Sequence, residues 1–141
     1  MPLLASEKGA PVTPEEVVRA QFAGWNRLDV EGIVALYTDD AVWENVPIGT
    51  VEGRDELRAA VHAWISRSEW IDIEILNLAA AGDIVLVERI DHFVFEGQRH
   101  DARCMGAFEI RGDKISAWRD YFDMGPGRRA REAFRDKPYP T

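Results

Sequence analysis

Apolar residues in the first half of the chain recur at helical spacing, and from residue 71 onward they alternate with a period of two. Thr13-Pro14-Glu15-Glu16 reads as a helix start, with Thr13 as cap, Pro14 in the first turn and Glu16 completing a capping box. Val18, Phe22 and Trp25 follow on one face. Asp29 is the expected cap of a second helix, with Ile33, Val34, Leu36 and Tyr37 as its buried side. A strand over 41–46, stopped by Pro47, puts Trp43 and Asn45 on one face. Gly53-Arg54-Asp55 opens a third helix, whose apolar stripe is Leu57, Ala60, Val61, Trp64 and Ile65. Four strands are then expected over 71–78, 84–95, 99–111 and 115–123, separated by Ala81-Gly82-Asp83, Gly97-Gln98 and Arg111-Gly112-Asp113. Helices followed by an antiparallel meander define an α+β fold, a curved sheet wrapped around helices.

Composition narrows the classes. A chain of 141 residues makes one domain, 1–141, large enough for a single core, with 1–12 expected as a flexible N-terminal arm. Gly125-Pro126-Gly127-Arg128-Arg129 is expected to break the chain before a short basic helix and a Pro-rich end. A hydrophobic fraction of 46% with 30% charged residues belongs to a soluble globular chain, not a disordered one. No apolar run approaches the roughly 20 residues of a membrane span, and the first residues lack the pattern of a signal peptide. A net charge of −8 argues against nucleic acid and anionic membrane surfaces as partners. Cys104 stands alone, which suits a cytoplasmic location.

The candidate chemistry lies where charge interrupts an apolar row. On the strand over 84–95, one face carries Val85, Val87, Arg89, Asp91, Phe93 and Phe95. Burying Arg89 and Asp91 costs desolvation, which either a structural ion pair or a functional site would justify. Trp118-Arg119-Asp120-Tyr121-Phe122-Asp123 repeats the pattern, with Asp120 between Trp118 and Phe122 on one face, and favours a site. Keeping all apolar faces together fixes the pairing parity. The expected turns set Asp91 and Asp120 on either side of Cys104, with Arg89 and Trp118 facing Gly106, whose missing side chain leaves room for the guanidinium.

Two carboxylates bridged by one guanidinium cannot be equivalent, so the pair can hold a single proton and work as acid and base. Asn45 and Trp43 could add hydrogen bonds to a water. No motif supplies a nucleophile. His62, His92 and His100 lack ligand spacing, and neither a metal nor another cofactor is expected.

These stretches, with Trp43-Glu44-Asn45-Val46-Pro47, resemble the motifs of limonene-1,2-epoxide hydrolases. That family shares a cone-shaped fold with nuclear transport factor 2 (NTF2), ketosteroid isomerase and the SnoaL-like polyketide cyclases. The resemblance implies a mixed or antiparallel curved sheet around three to four helices, enclosing an apolar pocket. It implies addition of water to an apolar, cyclic or aryl epoxide, giving a vicinal diol in one step without a covalent intermediate. Asp120 would deprotonate the water, Asp91 would protonate the epoxide oxygen, Arg89 would orient both, and Asn45 would hold the water. Trp43 stands where the family usually has a Tyr. Trp64, Ile73, Cys104 and Phe122 are expected to bind substrate. The resemblance also implies a homodimer, and the outer face of the meander, with Leu86, Ile90, Val94, Met105 and Ala107, needs such a cover. Two other readings remain: a SnoaL-like or ketosteroid-isomerase-like enzyme with one basic Asp, and a non-catalytic binder of small ligands.

Overall fold

The computed structural model describes residues 13–123, so the expected arm over 1–12 and the basic helix after residue 124 lie outside the described residues. Helix α1 (Pro14–Asn26) starts at the expected cap. Thr13 Oγ1 accepts the Glu16 N–H at 3.1 Å and donates to Glu16 Oε1 at 3.0 Å, so the box closes between side chains. Asp29 caps α2 (Val30–Val34) through the Gly32 N–H. This helix is shorter than expected, and Tyr37 does not belong to it. The Leu36 carbonyl accepts the Ile115 N–H, which draws the chain into the sheet, and Tyr37 opens strand β1 (Tyr37–Asn45).

β1 turns back as a short strand β2 (Gly49–Glu52), which the sequence pattern did not predict. Gly53 then caps α3 (Arg54–Ser66) with φ at 85°, a left-handed conformation that favours glycine, while its N–H bonds the Ala41 carbonyl. Leu57, Val61 and Ile65 bury one face of α3, but Trp64 is 37% exposed and is not part of the deep core.

Strands β3 (Ser68–Ala81), β4 (Ile84–Phe95), β5 (Gln98–Arg111) and β6 (Lys114–Tyr121) form the meander. The sheet is open, six-stranded and mixed, in the order β2-β1-β6-β5-β4-β3, and only β1 and β6 run parallel. With three helices packed on it, this is the expected cone-shaped NTF2-like architecture. The core lies between the sheet and α1 and α3. There Phe22 packs edge-on to Phe108 at 5.6 Å, each ring contributing about 1.5–3 kcal/mol by burial. Among the described residues no helix is long and apolar enough to cross a membrane.

Pairing parity follows the expectation, but register does not. Arg89, not Asp91, lies opposite Cys104, and Asp91 lies opposite Ala102. Gly106 faces Val87 on one side and Asp120 on the other, so Trp118 pairs with Phe108. Both ladders are displaced by two residues. The β4–β5 turn sits at Glu96-Gly97, both with positive φ (49° and 82°), which suits a tight hairpin turn. The β5–β6 turn is Gly112-Asp113, followed by an irregularity between Glu109 and Ile110 that shifts the ladder again.

Candidate active site

The alternation of β4 sends Arg89 and Asp91 into the concave side of the sheet, and that of β6 sends Asp120 there. Arg89 is 2% exposed and sits between the two acids. Its Nε donates to Asp91 Oδ1 at 2.8 Å and its Nη2 to Asp91 Oδ2 at 3.2 Å. On the other side Nη1 donates to Asp120 Oδ1 at 3.0 Å and Nη2 to Asp120 Oδ2 at 2.7 Å. Both contacts are bidentate, the geometry a planar guanidinium fork favours. Phe22 backs the fork, with the guanidinium carbon 4.9 Å from its ring centroid.

The bridge exists because β5 presents a glycine beneath it. A Cβ built on Gly106 would stand 2.7 Å from Arg89 Nη1 and 2.8 Å from Asp120 Oδ1. Any side chain at Gly106 would therefore displace the guanidinium or the carboxylate.

The two acids differ in surroundings. Asp91 keeps 24% of its side chain exposed, whereas Asp120 keeps 6%. Burial pushes the Asp91 carboxyl above the usual range, and this outweighs the opposing pull of Arg89. Burial alone would lower the pKa of Arg89, but the attraction of Asp120 and Asp91 raises it, so the guanidinium stays charged. Burial also pushes the Cys104 thiol up to about 12, so it remains protonated at neutral pH.

Trp118, two residues before Asp120 on the same face, donates its indole N–H to Asp120 Oδ1 at 2.8 Å. Trp118 is a functional residue beyond those expected from the sequence. Its signal was available, since an indole on the face of a buried acid is a ready donor. The parallel β1–β6 ladder adds a second rung: Trp43 pairs with Trp118, and Asn45 with Asp120. The Trp43 and Trp118 rings stack at 4.6 Å and 4°. Trp25 meets both edge-on, at 5.9 and 6.2 Å, and its own N–H is taken by the buried Gln21 on α1.

A cavity of about 140 Å³ opens over these groups. Every residue expected at the site lines it: Arg89, Asp91, Asp120, Asn45 and Trp43 together with Trp64, Ile73, Cys104 and Phe122. Phe22, Trp25, Ile71, Phe93 and Trp118 complete a largely apolar wall. The histidine of β4 faces away from the cavity: His92 bonds Asp101 at 2.6 Å and Glu74 at 2.8 Å on the other side of the sheet. Among the described residues no group of three or more His, Cys, Asp or Glu is placed to hold a metal ion.

An open six-stranded cone with an acid–guanidinium–acid bridge in an aromatic cavity defines an NTF2-like pocket protein. Residues 18–118 match the SnoaL-like domain family, and the chain belongs to that family. It is 32% identical over 96 residues to the epoxide hydrolase EphG of Mycobacterium tuberculosis, a match spanning 68% of this chain and 64% of that protein's length. A solved M. tuberculosis epoxide hydrolase of the limonene-epoxide-hydrolase-like type superposes with a TM-score of 0.72 at 28% identity, over 78% of this chain and 82% of that one. SalBIII, an epoxide hydrolase/cyclase-like enzyme of pyran ring formation in the polyether salinomycin, shares the fold at 24% identity. Its TM-score is 0.72, over 79% of this chain and 91% of that one. The resemblance read from the motifs is thus borne out at the level of the family.

Proposed function

We propose that this protein is a cofactor-independent epoxide hydrolase, acting on an apolar cyclic or aryl epoxide. The observation that carries this reading is one buried guanidinium holding two carboxylates of unequal exposure at the wall of an apolar cavity. Asp120 takes a proton from a water that Asn45 holds, and the water oxygen attacks one oxirane carbon. The carbon–oxygen bond on that carbon breaks as Asp91, whose raised pKa favours the protonated form, gives its proton to the leaving oxygen. The product is a vicinal diol, and the proton gained by Asp120 returns to Asp91 before the next turnover. Arg89 stabilises whichever acid is ionised and keeps the two aligned. No covalent bond forms between protein and substrate.

The test is diol formation from a panel of cyclic and styrene-type epoxides, in ¹⁸O water with enzyme in excess. The expected result is one ¹⁸O per diol in the first turnover, because the attacking oxygen comes from solvent. Absence of diol across the panel would sink the hydrolase reading, and ¹⁶O diol in that first turnover would point to an enzyme ester.

The same reading places the protein in the cytoplasm, where its lone Cys104 stays reduced, as a homodimer joined through the outer face of the sheet. Leu86 and Met105 are each 47% exposed there, beside Ile90, Val94 and Ala107, an apolar patch that a second copy would cover. Sedimentation velocity at micromolar concentration should show a dimer, and a monomer would refute this arrangement.

A further inference from the structure

Three buried side-chain polar atoms among the described residues have no hydrogen-bond partner: Gln21 Nε2, Trp43 Nε1 and Arg54 Nε. Of the three residues, Trp43 is the one that lines the cavity. It is 5% exposed, so water outside the pocket does not serve its N–H. Its stacked neighbour Trp118 has its own N–H committed to Asp120, and Asn45, two residues further along β1, forms no bond with the Trp43 indole. A buried donor left unmet carries its full desolvation cost until an acceptor arrives.

We propose that Trp43 is a specificity-determining residue, and that its indole N–H receives a second oxygen of the substrate. The preferred substrates are then oxygenated epoxides, bearing a ketone, ether or hydroxyl oxygen a few bonds from the oxirane. This rests on the hydrolase reading, because that reading assigns the other oxygens. The epoxide oxygen belongs to Asp91 and the attacking water to Asp120 and Asn45, which leaves the indole N–H for a third. An indole N–H donates and cannot accept, so its partner must offer a lone pair. The neighbouring walls, Trp25, Trp118 and Phe22, offer no competing acceptor group, so an oxygen at this point discriminates where the rest of the wall does not.

The experiment compares kcat/KM for 3,4-epoxycyclohexanone and 1,2-epoxycyclohexane in the wild type and in Trp43→Phe. Dividing one protein's ratio by the other's removes the intrinsic reactivity of the two epoxides. The ketone preference is expected to be about tenfold or more greater in the wild type, in line with a buried donor left unpaired by the hydrocarbon. Ratios equal within about twofold in the two proteins would overturn the proposal. Should Trp43→Phe fail to fold, β-(3-benzothienyl)alanine at position 43 keeps the bicyclic ring and replaces only the N–H. Calorimetric binding of cyclohexanone against methylenecyclohexane provides a readout independent of catalysis. Selective ketone binding that disappears with the N–H supports the donor role even if no epoxide is turned over, and equal binding of the two ligands counts against it.

Discussion

Asp91→Asn and Asp120→Asn will each lower diol formation by at least about 10²-fold, the usual range for losing a positioned acid or base. The two losses have different origins. An amide at position 91 has no acidic proton for the departing oxygen. An amide at position 120 cannot accept a proton from water, and its NH₂ would confront donors from Arg89 and Trp118 that now reach Asp120 at 2.7–3.0 Å. Single-turnover rates should therefore be measured beside thermal melts, so that a misfolded variant is not counted as an inactive one. If either variant folds and keeps near-full turnover, the acid–base assignment is wrong.

Arg89→Met should destabilise the protein by about 3–5 kcal/mol near neutral pH, the scale for removing one partner from a buried charge network. The remaining partners are two acids, one of them almost wholly buried, with no cation between them. The pH dependence has a definite sign. Burial already raises the Asp91 pKa, and Arg89 opposes that rise, so losing Arg89 raises it further. An acid whose pKa is higher in the folded state binds its proton more tightly there than when unfolded. Its stabilising contribution is thus full below the unfolded carboxylate range and is lost as pH climbs through the raised value. The deficit of Arg89→Met should accordingly be smaller at about pH 5 than at neutrality. Urea unfolding at both values is the measurement. A deficit that stays below about 1 kcal/mol at neutrality would mean the bridge contributes little net stability, and one that grows on acidification would refute the raised Asp91 pKa as its source.

The site was legible because charges on an apolar strand face are costly and conspicuous. Arg89, Asp91 and Asp120 announced themselves by where they interrupt alternation, and alternation also fixed which way they point. It did not fix how far each strand slides along its neighbour, because a slip of two residues preserves every face. The slide was set by Glu96 taking a positive φ, which few non-glycine residues do, and by the irregularity after Glu109. The pairing of β1 with β6 was also hidden, since a meander read strand by strand gives no reason for a distant strand to join in parallel. Trp118 is absent from the expected site residues for another reason: a bulky aromatic reads as core, and it is core, while its N–H serves Asp120. Gln21 went unnoticed because one amide beside Phe22 hardly disturbs a helical stripe, although its carbonyl oxygen takes donors from Trp25 and Tyr37.

The ladder from Trp43 to Asn45 has a consequence for redesign. Beyond the irregularity between Ser68 and Trp70 at the start of β3, pocket-facing strand positions follow a parity rule: odd numbers on β1, β3 and β4 (43, 45, 71, 73, 89, 91, 93) and even numbers on β5 and β6 (102, 104, 118, 120). A library confined to 43, 73, 93 and 102 would vary the pocket wall while leaving Arg89, Asp91, Asp120 and the water-holding Asn45 in place. The residues of opposite parity, among them Leu86, Ile90 and Met105, would keep the outer surface unchanged. Catalytic bridge, pocket wall and outer surface are in this sense separately adjustable variables written on the same strands.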